Sequence, residues 1–145
     1  MPTAGETAPE FTAPTHAGSP LTLSSLRGHP TILYFYPEAD TSGCTLESKG
    51  FRDIYGELRA KGIHVIGVSV DPVEAQAAFA GKYSLPFPLV ADTSKDVARA
   101  YGVLGPSGKA RRVTFLIDPK GAITEVIESR DAAAHVTRAK AALLG

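Results

Sequence analysis

The chain has 145 residues, 43% hydrophobic and 21% charged, with 15 basic residues balancing 15 acidic ones. That is the composition of a soluble globular chain of one domain, residues 1–145, long enough to bury roughly two-thirds of the surface its unfolded form exposes. A neutral balance offers no general attraction to nucleic acid or an anionic membrane, so a polyanionic partner is excluded as the default.

No apolar run approaches the ~20 residues a membrane helix needs, and the first residues lack the basic and apolar regions of a secretory signal, so a cytoplasmic location is expected. The single cysteine, Cys44, forbids an internal disulfide. The histidines, His16, His29, His64 and His135, show no metal-ligand spacing with it, so neither a metal nor another cofactor is expected.

In chain order, the first 22 residues are rich in Pro, Gly, Thr and Ala, with apolar points at Phe11 and Leu21, and read as an irregular arm or small hairpin. Leu23 to Gly28 resembles a single helical turn closed by glycine. Thr31 to Tyr36 is a continuous apolar strand ended by Pro37. Leu46, Phe51, Ile54, Tyr55 and Leu58 then recur at helical spacing, with Gly62 as the stop.

Ile63 to Val70 is the next strand. Asp71 and Pro72 carry the pattern of a capping Asp with Pro at the first helical position, opening a helix from Val73 to Tyr83. Leu85 to Val90 holds a short strand, and Asp92 or Thr93 caps a helix that runs to Tyr101 and closes at Gly102. Val113–Ile117 and Ala122–Ile127 flank Asp118 to Gly121, a tight turn that makes the pair an antiparallel hairpin. An alanine-rich helix from Asp131 to Leu144 ends the chain. Alternating strands and helices followed by a hairpin imply a mixed sheet covered on both faces, a thioredoxin-like α/β architecture.

Cys44 falls at the turn between a strand and the following helix, near unpaired backbone N–H groups and the positive end of the helix dipole, which favour thiolate over thiol. A lone cysteine is more often a small buried hydrophobe. The small polar neighbours Thr41, Ser42, Gly43 and Thr45 are instead typical of a helix entry that approaches a ligand, which makes Cys44 a candidate nucleophile.

Pro37, Thr41 and Cys44 fit the P-x-x-x-[T/S]-x-x-C motif of peroxiredoxins. The wider string FYPEADTSGCTLESKGFRD, with GVSVDP, LPFPLVAD and RVTFLIDPKG, resembles the bacterioferritin comigratory protein or peroxiredoxin Q subgroup over nearly the whole chain. The resemblance implies a thiol-dependent peroxidase for hydrogen peroxide and organic hydroperoxides, working through a Cys44 sulfenic acid. Such chemistry needs a deprotonated sulfur, donors where the leaving oxygen gains charge, and exclusion of bulk water.

The Gly43 and Cys44 N–H groups are candidate donors, the Thr41 hydroxyl a group that accepts from peroxide and donates to sulfur, and Pro37 a shield; as bland alternatives, Thr41 is a cap and Pro37 a strand terminator. The resemblance places the active-site arginine at Arg112, with Arg111 on the opposite face, and Glu47 as the carboxylate that orients it. Relatives carry a second, resolving thiol at the position of Lys49 here or around Phe79 to Lys82, and no cysteine stands at either place. An external thiol (thioredoxin, glutaredoxin or a small-molecule thiol) is therefore implied as the reductant, and a monomer, with a dimer as the alternative, as the assembly. A thioredoxin-type reductase would need a second thiol and is excluded. A peroxide sensor or chaperone-like redox module using Cys44 remains the competing reading.

Overall fold

The computed structural model describes residues 1–145, and its frame is a five-stranded sheet in the order β5-β4-β3-β6-β7. β3 (Thr31–Phe35) is central because all five of its residues are buried, as a strand covered on both faces requires. It pairs parallel with β4 (His64–Ser69) and antiparallel with β6 (Val113–Ile117); β5 (Leu89–Ala91) extends the parallel side and β7 (Ile123–Glu128) the antiparallel side. The sheet is mixed, as expected.

Strand alternation divides the core. Ile32, Tyr34 and Tyr36 point to one face, where α1 (Ser42–Ala60), α2 (Val73–Tyr83) and α4 (Ala132–Leu144) supply Phe51, Leu58, Phe79 and Ala139. Leu33, Phe35 and Phe115 point to the other, against α3 (Asp96–Ala100), Tyr101 and the N-terminal arm. Each large apolar side chain so buried contributes about 2 kcal/mol. The arm is a small hairpin of β1 (Thr12–Pro14) and β2 (Pro20–Thr22), followed by a 3-10 turn over Leu23–Leu26. No helix is long and apolar enough to cross a membrane.

Several local expectations change. Asp71 does not cap α2, whose flanking residue is Pro72; its carboxylate accepts instead from Ser69 Oγ at 2.6 Å and from the Ala39 N–H at 2.8 Å. Asp92 does feed the N-terminus of α3, accepting from the N–H groups of Val97 and Ala98, but the helix starts only at Asp96, after Lys95 in a left-handed conformation. Leu46 is 58% exposed, because the inward face of α1 near its start is given to Cys44, Glu47 and Ser48. The turn between β6 and β7 is as expected, with Asp118 Oδ1 accepting from the Lys120 and Ala122 N–H groups and Gly121 at φ +92°.

Candidate active site

The segment between β3 and α1 is held at Glu38, Ala39, Asp40 and Thr41. Asp40 takes a left-handed φ of 60°, a strained choice for a non-glycine residue, and its carboxylate is held by Lys82 Nζ at 2.9 Å and the Tyr83 hydroxyl at 2.8 Å. Glu38 pairs with Lys109, and Ala39 donates to Asp71. The Thr41 hydroxyl donates to the Glu38 carbonyl at 2.8 Å rather than to the sulfur, since it closes this turn; its lone pairs are left to accept.

That turn delivers the chain into α1 with Thr41 as the extended flanking residue. The first backbone bond of the helix runs from the Thr45 N–H to the Thr41 carbonyl at 2.8 Å, so the N–H groups of Gly43 and Cys44 lie in the unpaired first turn. Cys44 is 1% exposed, and its sulfur lies at the positive end of the helix.

Strand parity decides which arginine meets it. In β6, Val113, Phe115 and Ile117 face one side, while Thr114 and Leu116 face the side of α1 and α4. Arg112 shares the parity of Thr114, and its Nη2 donates to Cys44 Sγ at 3.3 Å while Nη1 donates to Glu47 Oε1 at 2.6 Å. Arg111 turns away, donating to the Gly102 carbonyl at 2.9 Å and pairing with Glu128. Burial opposes the charge on Arg112, yet Glu47 and Cys44 outweigh it and hold the guanidinium more firmly protonated than usual. A fixed cation on the sulfur stabilises negative charge there.

Glu47 is fully buried, one turn beyond Cys44, and burial outweighs the Arg112 charge to push its carboxyl up to about 8. Gly43 has a role that its N–H alone does not explain: a Cβ there would lie 2.9 Å from Arg112 Nη2, so any larger residue would make the guanidinium shift from this position. Pro37 lies beside Arg112, where the two help line an open depression of roughly 620 Å3 with Pro106, Val113, Ser129 and Arg130. Of the residues expected from the sequence, Arg112 joins Cys44 to Glu47, Gly43 lies against the same guanidinium, Thr41 closes the turn before the helix, and Pro37 lines the depression with Arg112.

Sequence reasoning missed what lies behind them. His135 on α4 is fully buried, with Nδ1 2.8 Å from Thr114 Oγ1, Nε2 2.7 Å from the Ser129 carbonyl, and Glu47 Oε2 3.6 Å from Nδ1. The available signal was its spacing from Ala132 and Ala139, which marks the inward stripe of the last helix. Gly50 lets the two helices approach closely, since a Cβ there would lie 2.8 Å from Val136.

The geometry agrees with the comparisons. Residues 4–126 match the AhpC/TSA family. The chain belongs to that family. A peroxiredoxin bcp of Coxiella burnetii is 44% identical over 129 residues, spanning 84% of this chain and 85% of its own. Among solved structures, the peroxidoxin BcpB of Mycobacterium tuberculosis superposes with a TM-score of 0.93 at 37% identity, covering 99% of this chain and 97% of that one. The bacterioferritin comigratory protein of Xanthomonas campestris gives 0.87 at 30% identity, over 92% and 90% of the two chains. This AhpC/TSA member is a peroxiredoxin with the thioredoxin-like fold, and its relatives are of the Bcp and peroxiredoxin Q kind.

Proposed function

We propose that this thiol-dependent peroxidase uses Cys44 as its peroxidatic nucleophile, with Arg112, Thr41 and the Gly43 and Cys44 N–H groups binding peroxide, Pro37 shielding the sulfur and Glu47 bracing Arg112. The single observation that carries the assignment is the 3.3 Å contact from Arg112 Nη2 to Cys44 Sγ. The thiolate attacks one peroxide oxygen: an S–O bond forms, the O–O bond breaks, sulfur is oxidised to the sulfenic acid and the other oxygen leaves as water or alcohol after taking a proton. Arg112 and the helix N–H groups offer donors where that oxygen gains charge. The substrates are hydrogen peroxide and organic hydroperoxides; the Xanthomonas relative is described with alkyl peroxide reduction activity.

Reduction of the sulfenic acid falls to an external thiol, because the chain has one cysteine: Lys49 stands five residues beyond it, and the stretch from Phe79 to Lys82 holds no cysteine either. A first thiol displaces water to form a mixed disulfide, and a second thiol frees Cys44. Thioredoxin, glutaredoxin or a small-molecule thiol fits that role, and a reducing cytoplasm is the compartment that supplies them. Residues 1–145 act as one domain and as a monomer, in keeping with Leu46 and Met1 being the only large exposed apolar side chains.

The test is steady-state turnover with hydrogen peroxide and cumene hydroperoxide, each thiol donor being supplied in turn. Many equivalents consumed per protein, and none by Cys44→Ser, is the expected result. One equivalent consumed with every donor would make the protein a sensor instead.

A further inference from the structure

The depression beside Arg112 carries more positive charge than a peroxide can use. Arg111, Arg112 and Arg130 line it together with Pro37, and Glu128 is the one acidic residue of the lining. Hydrogen peroxide and simple alkyl hydroperoxides are uncharged, so they give the two outer arginines nothing to pair with. Arg112 is braced by Glu47 at 2.6 Å. Arg111 meets Glu128 only at 3.4 Å, with both side chains about half exposed, a contact that contributes little. Arg130, exposed between β7 and α4, has no carboxylate partner at all. The space of roughly 620 Å3 is of the size that holds a small organic ligand.

We propose that this depression binds the carboxylate of a small anionic thiol, which makes Arg130 and Arg111 the residues that select the reductant; the inference rests on Cys44 being the peroxidatic sulfur. A guanidinium presents paired donors that match a carboxylate, and a ligand carboxylate can take the place of Glu128 on Arg111. Arg112 belongs to both places, lining the depression and donating to Cys44 Sγ at 3.3 Å. A thiol whose carboxylate is held there is kept at high effective concentration beside the sulfur it must attack.

The oxidation state of the sulfur decides which reactant the charge favours. In the reduced protein the Cys44 thiolate and Glu128 both offset the arginines, and an arriving anion meets a second anion against Arg112. Conversion to the sulfenic acid removes the thiolate charge, while the three arginines keep theirs. The depression is therefore more attractive to an anion after peroxide has reacted, which is when a thiol has to enter. Lys109, close by, is compensated by Glu38 in both states. In the step itself the thiolate forms an S–S bond to Cys44 Sγ, the S–O bond breaks, and hydroxide leaves and takes a proton to become water. The Cys44 sulfur is reduced as the incoming sulfur is oxidised, and a second thiol then releases the first as a disulfide.

The test uses three thiols of similar size that differ in charge: 3-mercaptopropionate, 2-mercaptoethanol and cysteamine. Each is mixed with sulfenic acid preformed by one equivalent of hydrogen peroxide, and the rate of mixed-disulfide formation, corrected for thiolate fraction, is read by quenched flow and mass spectrometry at low salt. Arg130→Gln should slow 3-mercaptopropionate by about three- to tenfold and leave the other two thiols within about twofold, whereas Arg130→Lys, which keeps the charge, should recover most of the loss. Added salt at about 0.5 M should remove most of the difference between wild type and Arg130→Gln. Equal slowing of all three thiols would make Arg130 a structural residue, and no slowing would leave the depression without this ligand; either overturns the inference. So would a sulfenic acid that a dithiol protein reduces and none of the small thiols does. Failure of the wild type to form a sulfenic acid, read before any thiol is added, would overturn the assignment of Cys44 itself and the inference with it.

Discussion

An ideal Cβ on Gly43 would stand 2.9 Å from Arg112 Nη2, the nitrogen that donates to Cys44 Sγ. The residue before the cysteine therefore sets how closely the cation approaches. Gly43→Ala is expected to displace the guanidinium and slow sulfenylation by about one to two orders of magnitude. Alanine is also a better helix former than glycine by about 1 kcal/mol, so the melting temperature should hold or rise. Stopped-flow oxidation beside a thermal melt checks both, and an unchanged rate would show that Arg112 gives way without cost.

Arg112→Ala removes the donor itself. Its sulfenylation rate should fall by about two orders of magnitude or more, on the scale of losing one transition-state donor, while reduction of the preformed sulfenic acid changes far less. Arg111→Ala, whose guanidinium engages Gly102 and Glu128 instead, is the control. Equal losses in the two variants would mean that the wrong arginine has been assigned.

Two buried titratable groups, Glu47 and His135, make stability depend on pH. Burial raises the Glu47 carboxyl from an ordinary 4.5 to about 8, so the folded protein keeps a proton that the unfolded chain has released. The stability tied to that proton is whole below about pH 4.5 and is lost as pH rises through about 8. His135 is shifted the other way, down from 6.5, chiefly by burial; its contribution is present above 6.5 and is lost on acidification. Melting temperatures measured across pH should show a shallower alkaline decline in Glu47→Gln than in wild type. Parallel curves for the two would remove Glu47 from the explanation.

Cys44 is 1% exposed, so an external thiol reaches its sulfur only if the segment around it opens. No internal partner has to be met at Lys49, however, and the body of α1 is anchored by Phe51, Ile54 and Leu58. On sulfenylation, hydrogen exchange should accelerate across residues 37–45 and stay slow across residues 49–60. Loss of protection through the whole helix would show that unwinding is intrinsic to the cycle.

Much of this was legible in the sequence because it depends on local chemistry. Continuous apolar runs such as Thr31 to Tyr36 fix buried strands, and the motif formed by Pro37, Thr41 and Cys44 marks a helix entry with its free N–H groups. The hairpin turn at Asp118 to Gly121 needs only its own residues. Where a side chain had two possible partners, the local pattern misled: Asp71 looked like a helix cap until the Ala39 N–H claimed it, and the Thr41 hydroxyl closed its own turn.

The strand and helix order, the candidate nucleophile and the lack of a second thiol within these residues are all readable from local pattern. How the groups meet is set by packing between distant segments. Arg112 reaches Cys44 because antiparallel pairing of β3 with β6 sets the parity of the strand, and Gly43 leaves room for it. His135 reaches Glu47 because Gly50 lets α4 pack close against α1, across a separation in sequence that no local pattern spans. Short-range propensity acts along the chain, whereas the electrostatics of this site act across it, between residues that only the packed sheet and helices make neighbours.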